Sequence, residues 1–277
     1  GELGHVSVLR FMLEQKGADL THRALRYDLL ALLIAGHDSV GSTLTWLTWL
    51  LALHPEEKAK VLAEVDAMAP AFFDAPRPED LMQLPRLRDA ISETLRLFPQ
   101  PPMLLRRALE RDVLPRAAGR DGVVQEAAVK VKRGRDFFIS VWNLHRSPLF
   151  WRAPERFQPG RWAHPTPPPL VHRYNQGRGP TEPKWKGYQP DAAALHPNEI
   201  NTDFTYLPFG AGPRKCLGYR FAFFQMAILS AIVMHRFDFE LLGHHDPLSP
   251  WTSPVGAQSG STFHTKHGLK VRVKKRR

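Results

Sequence analysis

The densest chemistry in the chain lies in one run, Phe209-Gly210-Ala211-Gly212-Pro213-Arg214-Lys215-Cys216-Leu217-Gly218, which holds the only cysteine. A single cysteine excludes an internal disulfide framework, a multi-cysteine zinc site and an iron–sulfur cluster, so any sulfur chemistry here is that of one thiolate. A thiolate is stabilised by neighbouring cations and by the N-terminus of a following helix. Arg214 and Lys215 precede Cys216, and a helical stretch over Tyr219 to Phe237 follows it. Gly210, Gly212 and Gly218 let a flat, bulky group approach the backbone closely. Phe209 can shield the sulfur from water, and Arg214 can pair with a carboxylate on that group. A large planar dicarboxylate held by one cysteine describes haem.

A lone cysteine is most often a small buried hydrophobe. The pattern F-x-x-G-x-R-x-C-x-G argues otherwise, because it fixes Phe209, Gly212, Arg214, Cys216 and Gly218 together. Chance would produce it on the order of once in ten thousand chains of this size. The run resembles the cysteine-ligand loop of the cytochrome P-450 family. That resemblance implies haem b (iron protoporphyrin IX) with Cys216 as the iron ligand, and with Phe209, Gly212, Arg214 and Gly218 around the cofactor.

Other segments support the resemblance. Glu93 and Arg96 stand at i, i+3 on a helix, a spacing that permits an ion pair; alone this is weak, since most such pairs are solvated. Phe157-x-Pro159-x-Arg161-Trp162 resembles the family's proline–arginine motif. By that likeness Arg161 joins Glu93 and Arg96 in a Glu–Arg–Arg network that locks the cysteine loop. Arg156, in the string Pro154-Glu155-Arg156-Phe157, is out of register and is rejected. Ala35-Gly36-His37-Asp38-Ser39 resembles the oxygen-activation motif (A/G-G-x-D/E-T/S). Gly36 inside a helix is about 1 kcal/mol worse than alanine, and a missing side chain with a distorted turn would open space for dioxygen. Ala35 and Ser39 share one helix face. The resemblance makes Ser39 a donor toward dioxygen and Asp38 a proton relay, against the ordinary alternative of a local backbone hydrogen bond. Threonine is commoner at the Ser39 position; serine lacks the methyl that fixes the rotamer, which predicts looser coupling of oxygen reduction to product. Arg106 falls where the family often places an arginine for a haem propionate, with Arg107 as a substitute. His37, His145 and His264 are not needed as ligands and read as solvated or hydrogen-bonded.

These residues need elements to hold them. The chain has 277 residues with 43% hydrophobic and 23% charged, a globular composition. Lys and Arg exceed Asp and Glu by 11. Six of those charges lie between Lys270 and Arg277, so the basicity reads as a solvated tail, and nucleic acid is not expected as a partner. Leu29 to Leu53 is long and apolar, yet its middle carries His37, Asp38, Ser39, Ser42 and Thr43. A central Asp alone opposes membrane insertion by about 2.5–3.5 kcal/mol, so a central helix buried on all sides is expected. Further helices are predicted at Val6–Leu13, Glu56–Ala67 after Pro55, and Leu87–Phe98, whose Leu87, Ile91, Leu95 and Phe98 share a face. Pro70 to Pro78 reads as loop. Val129–Val131 and Phe137–Trp142, separated by Arg133-Gly134-Arg135, read as a hairpin, and Leu269–Val273 as a final edge strand. Ala163 to Ile200 holds eight prolines in 38 residues without periodicity; within it about 163–197 reads as an insertion.

The expected fold is therefore mainly α with small β-sheets. In the resemblance it is the C-terminal, haem-binding half of the cytochrome P-450 fold, with residues 1–277 forming a partial haem-thiolate monooxygenase domain. The N-terminal half is absent, and the chain does not open on methionine, as a fragment would not. No signal peptide is visible in Gly1 to Arg10. A closer likeness is to the plant and algal branch that hydroxylates carotenoid rings in plastids, carried by Ala35–Thr43, Pro101–Ala108, Ile139–Ser147, Asn198–Gly218 and Ser261–Leu269. It implies an apolar substrate, lined by Pro101–Leu105 and Gly260–Phe263, and O2. It also implies an electron donor such as a ferredoxin or a flavoprotein reductase. Plastid location follows, with the endoplasmic reticulum surface and peripheral membrane association as alternatives. A fatty-acid or other lipid hydroxylase, and a non-functional fragment lacking the distal half, stand as rival readings.

Overall fold

Thr21 starts the longest helix: its hydroxyl accepts the Ala24 N–H at 3.2 Å. In this computed structural model, which describes residues 10, 12–14, 21–114, 128–163, 204–246, 253–260 and 262–276, α1 spans His22–Leu53. Of the predicted Val6–Leu13 helix, residues 10, 12 and 13 are described and are helical, while the proline-rich 163–197 segment lies outside the described residues beyond 163. α1 ends because Pro55 cannot extend it, and the His54 N–H returns to the Leu50 and Leu51 carbonyls. Pro55 then opens α2 (Pro55–Ala67), with Glu56 and Glu57 in its first turn.

Only half of α1 is buried, contrary to the expectation of burial all round. Val40, Trp46, Leu47, Trp49, Leu50 and Leu51 are in the core, whereas Leu30, Leu32, Leu33 and Ile34 stand exposed. Its buried residues all lie from Val40 onward, and the apolar first turns stand open to solvent. No described helix is long and apolar enough to cross a membrane.

Pro70–Pro78 is not all loop. Pro70 at a first helical position sets up α3 (Pro70–Asp74), which buries Phe72, and a 3₁₀ turn follows over Pro78–Gln83. α4 (Pro85–Leu97) is capped from outside: Glu64 accepts the Arg86 N–H at 2.8 Å and the Leu87 N–H at 3.1 Å. Phe98 closes α4 as its C-cap, one residue earlier than predicted.

Strands β1 (Met103–Arg107), β2 (Asp112–Leu114), β3 (Val129–Val131) and β4 (Asp136–Ser140) follow. The expected hairpin between the last two does not form. β3 pairs antiparallel with β2 and β4 with β1. Gly134, at φ 81°, bends the chain between them, and the Ala108 N–H donates to the Arg135 carbonyl. β4 stops at Ser140, whose hydroxyl accepts the Asn143 N–H and starts α5 (Val141–His145), so Trp142 is helical.

α6 (Gly160–Ala163) and the long α7 (Tyr219–Arg236) follow among the described residues. β5 (Phe237–Leu241) pairs with β8 (Val271–Lys275), and β6 (Gln258–Ser259) with β7 (Phe263–His264), all antiparallel. The final strand sits two residues later than its alternation predicts. The basic C-terminus is consequently not a free tail: Arg272 and Lys274 pair with Glu240, and Arg276 reaches Asp66 at 2.6 Å and the Met234 carbonyl at 2.7 Å.

The core forms where α1, α4, α7 and the β6–β7 hairpin meet. Trp46 stacks on Phe98 with ring centroids 4.1 Å apart and donates its indole N–H to the Phe263 carbonyl at 2.8 Å. Gln100 clamps the same residue twice, donating to the Phe263 carbonyl at 2.7 Å and accepting its N–H at 2.6 Å.

Candidate functional site

Glu93 and Arg96, on α4, are each 0% exposed. Two bonds of 2.9 Å join the guanidinium and the carboxylate. Arg161 of α6 adds a third cationic contact, Nε to Glu93 Oε1 at 2.9 Å. The Gln158 N–H and the Trp162 indole complete the carboxylate's partners at 3.0 and 3.1 Å. Burial by itself pushes the Glu93 carboxyl up; the Arg96 and Arg161 charges reverse that and hold it below the ordinary carboxylate range. Arg156 enters only through its carbonyl, which accepts from Arg96 at 3.1 Å, in line with its rejection. The remaining Arg96 N–H groups go to the His145 carbonyl (2.8 Å) and the Pro154 carbonyl (2.7 Å). Every donor is satisfied, which a buried charge requires.

This network borders the cysteine loop. The Tyr206 hydroxyl donates to the Ser92 carbonyl of α4 at 2.8 Å, and the Leu207 N–H donates to His145 Nε2 at 2.8 Å. From there the loop folds on itself: the Gly210 N–H returns to the Leu207 carbonyl and the Cys216 N–H to the Phe209 carbonyl at 2.9 Å. Gly210 and Gly212 have φ of 67° and 68°, in the left-handed region where a side chain is strained. Arg214 ends a 3₁₀ turn over Gly212–Arg214 and is exposed. The Lys215 ammonium lies over the Tyr219 ring at 3.6 Å, a cation–π contact. Cys216 itself is an exposed free thiol, two residues before Gly218 caps α7.

The residues present fit a haem. Cys216 is exposed, and its main-chain N–H is bonded to the Phe209 carbonyl. A Cβ built on Gly212, Gly218 or Gly36 would meet nothing within 4 Å, leaving the space a flat group needs. Of the two candidate propionate arginines, Arg107 is engaged bidentately by Asp136 at 2.6 and 2.7 Å. Arg106 bonds the Leu105 carbonyl of its own strand and no acidic side chain among the described residues.

In α1, Ala35, Gly36, Asp38 and Ser39 lie on a helix that runs through without the distorted turn the motif implies. Ser39 Oγ donates to the Ala35 carbonyl at 2.7 Å, the ordinary local bond. Asp38 Oδ2 accepts from the Thr262 hydroxyl at 2.6 Å, a partner 224 residues away that no local pattern announces. Phe263 is 2% exposed and stacked in the core, so in the Gly260–Phe263 segment it anchors and does not line. His145 is hydrogen-bonded, as expected for a non-ligand; Trp162 and Tyr206 were not singled out, though Trp162 stands beside Arg161 in the motif.

Acid stability follows from three of these groups. Glu93, with its depressed value, stabilises the fold above the ordinary carboxylate range and loses that contribution as pH falls. His145 is pushed down from 6.5 to about 3 by burial and then by the Arg96 charge, so acid erodes stability from about pH 6.5 downward. Asp89 is pushed up from 3.8 to about 7 by burial, and therefore does the opposite, gaining stability as pH falls over that range. The two slopes offset each other between about pH 4 and 6.5. Asp89→Asn should expose the histidine slope: its urea midpoint is expected to decline from about pH 6.5, while the parent protein holds until about pH 4. Superimposable pH curves would contradict this.

The chain matches the family described as Cytochrome P450 over residues 4–264. It is 41% identical to cytochrome P450 97B2, chloroplastic, of Glycine max over 276 residues, which covers 99% of this chain and 44% of that protein. It is 39% identical to protein LUTEIN DEFICIENT 5, chloroplastic, of Arabidopsis thaliana, covering 98% of this chain and 37% of the relative. Carotene epsilon-monooxygenase, chloroplastic, of the same plant is 33% identical, covering 98% and 41%. The chain thus spans less than half the length of these curated relatives. With a free thiol on a glycine-shaped loop, a buried Glu–Arg–Arg network beneath it and a family match over nearly its whole length, this chain belongs to the cytochrome P450 family.

Proposed function

We propose that this chain is the haem-binding part of a plastid haem-thiolate monooxygenase that hydroxylates carotenoid rings, with haem b held by Cys216. The observation that carries the reading is the exposed Cys216 thiol on a loop fastened to a fully buried Glu93–Arg96 pair that Arg161 joins from its edge. When bound, haem supplies the iron chemistry that activates O2, so that one oxygen atom enters a C–H bond and the other leaves as water.

The chain's own residues have separate tasks around it. Cys216 supplies the thiolate, Phe209 keeps water from the sulfur, and Gly212 and Gly218 leave the approach uncovered. Arg214 and Arg106 pair with the cofactor's carboxylates. Asp38 carries protons inward: one of its oxygens is held by Thr262 at 2.6 Å, which fixes the carboxylate's orientation. Ser39 has to leave the Ala35 carbonyl before its hydroxyl can donate elsewhere, which keeps the expectation of loose coupling. Exposed Met103 and Leu105 of β1 present the apolar surface that a hydrocarbon substrate needs.

The substrate class and the plastid location rest on the relatives' names, a carotene monooxygenase and other chloroplastic proteins aligned along 98–99% of this chain. The two electrons come from a partner protein, a ferredoxin or a flavoprotein reductase, for which exposed Arg214 offers a cationic contact. The test is to feed β-carotene and ε-ring carotenoids to the full-length, haem-loaded protein with an electron donor. Ring-hydroxylated products are expected; fatty-acid hydroxylation without ring hydroxylation would contradict the substrate assignment.

A further inference from the structure

We infer that His145 is the positioning residue that transmits the rigidity of the buried Glu93–Arg96 pair to the loop bearing Cys216. The inference rests on the reading of Cys216 as the haem ligand.

Hydrogen-bond bookkeeping fixes the role of each atom of His145. The Leu207 main-chain N–H can only donate, so His145 Nε2, 2.8 Å away, must be the acceptor. The ring proton then sits on Nδ1 and donates to the Arg96 carbonyl at 3.2 Å. The His145 carbonyl in turn accepts from Arg96 Nη1 at 2.8 Å. His145 thus grips the main chain and the side chain of Arg96 with two of its atoms and the start of the cysteine loop with a third. It is 0% exposed, so water cannot substitute for a lost partner. Burial and the Arg96 charge keep the ring neutral at any ordinary pH, which is the state that leaves Nε2 free to accept.

Beyond Leu207 the path is short. The Leu207 carbonyl accepts the Gly210 N–H at 3.2 Å, and the Phe209 carbonyl accepts the Cys216 N–H at 2.9 Å. The neighbouring Tyr206 is tied to α4 independently through the Ser92 carbonyl at 2.8 Å. The loop entrance is therefore pinned at two successive residues, and among the described residues the His145 link is the one that acts on the residue whose carbonyl closes the Gly210 turn. Buried and doubly committed in this way, His145 is not itself available as an iron ligand.

The experiment compares three variants of the full-length, haem-loaded protein by the reduced, carbon monoxide-bound spectrum, which distinguishes thiolate-ligated from non-thiolate haem. In His145→Gln the side-chain amide oxygen reaches the region of Nε2 and can still accept from Leu207. In His145→Asn the amide nitrogen replaces Nδ1, but nothing reaches Leu207. His145→Leu loses both bonds. Orphaning a buried N–H is expected to shift the ratio of thiolate to non-thiolate forms by roughly tenfold in His145→Asn and His145→Leu. His145→Gln is expected to stay within about twofold of the parent protein. A packing role alone would group His145→Leu, which fills the space of the ring, with His145→Gln and apart from the smaller His145→Asn. That grouping, or equal ratios in the Asn and Gln variants, would overturn the inference, while a parent protein without the thiolate band would overturn the ligand assignment as well. Should His145→Asn fail to fold, amide exchange in the parent protein decides: Leu207 is expected to be protected like the α4 core amides, and fast exchange would overturn the inference.

Discussion

Replacing Glu93 by leucine should destabilise the protein by about 3–5 kcal/mol, the penalty for removing one member of a buried ion pair and leaving the others uncompensated. Domains of this kind are stable by only about 5–15 kcal/mol, so the variant should be marginal or unfolded at growth temperature. The loss is this large because Arg96 is 0% exposed and has no route to water. Glu93 also terminates five donors from four residues, Arg96, Arg161, Gln158 and Trp162. Glu93→Gln keeps the shape and one acceptor oxygen, and should lose less. Arg161→Lys should be milder still, since the Arg161 side chain retains 8% exposure at the edge of the network. Urea unfolding of the three variants checks the order. Equal stability of Glu93→Leu and the parent protein would show that the network contributes nothing to the fold.

The second large effect is on ligation and leaves the fold alone. Cys216 is exposed, and its contribution to loop geometry is its main-chain N–H bonded to the Phe209 carbonyl at 2.9 Å. Serine preserves that bond. In the haem-free protein Cys216→Ser should therefore melt within about 0.5 kcal/mol of the parent, as exposed substitutions do. Yet with haem supplied it should lose every spectroscopic feature of thiolate ligation, because an alcohol remains protonated where a thiol ionises. Thermal melting read alongside the resting absorbance spectrum separates the two outcomes. Retention of the parental spectrum in Cys216→Ser would mean that the iron ligand is another residue.

The parts of this molecule that were legible in sequence are those whose partners are close in the chain or fixed by a motif. The 209–218 run, the Glu93–Arg96 spacing, and Pro55 at the start of α2 are of this kind. Arg161 was reached through a motif and not through spacing, since its partner is 68 residues away. What sequence could not supply are contacts set by tertiary packing. Val129–Val131 is a strand as its sequence suggests, and Phe137–Trp142 overlaps β4 but overruns it by two residues; adjacency favours pairing the two with each other, whereas both pair with strands on the other side of the 115–127 connection. The apolar composition of α1 is uniform enough to imply burial throughout, yet its buried residues all lie from Val40 onward. Thr262 on Asp38 and Leu207 on His145 join residues 224 and 62 positions apart, and neither leaves a local signature. Pro70–Asp74 was missed for a smaller reason: a single helical turn opened by proline is too short to show periodicity.

All of the proposed chemistry requires that Cys216 sulfur bonds to haem iron. The direct measurement is the absorbance spectrum of the full-length, haem-loaded protein after reduction under carbon monoxide. A strongly red-shifted Soret band, absent in Cys216→Ser, is the predicted result. A band typical of histidine ligation in the parent protein would contradict it, since the buried His145 has both ring nitrogens committed to protein partners and the iron would then have to lie elsewhere.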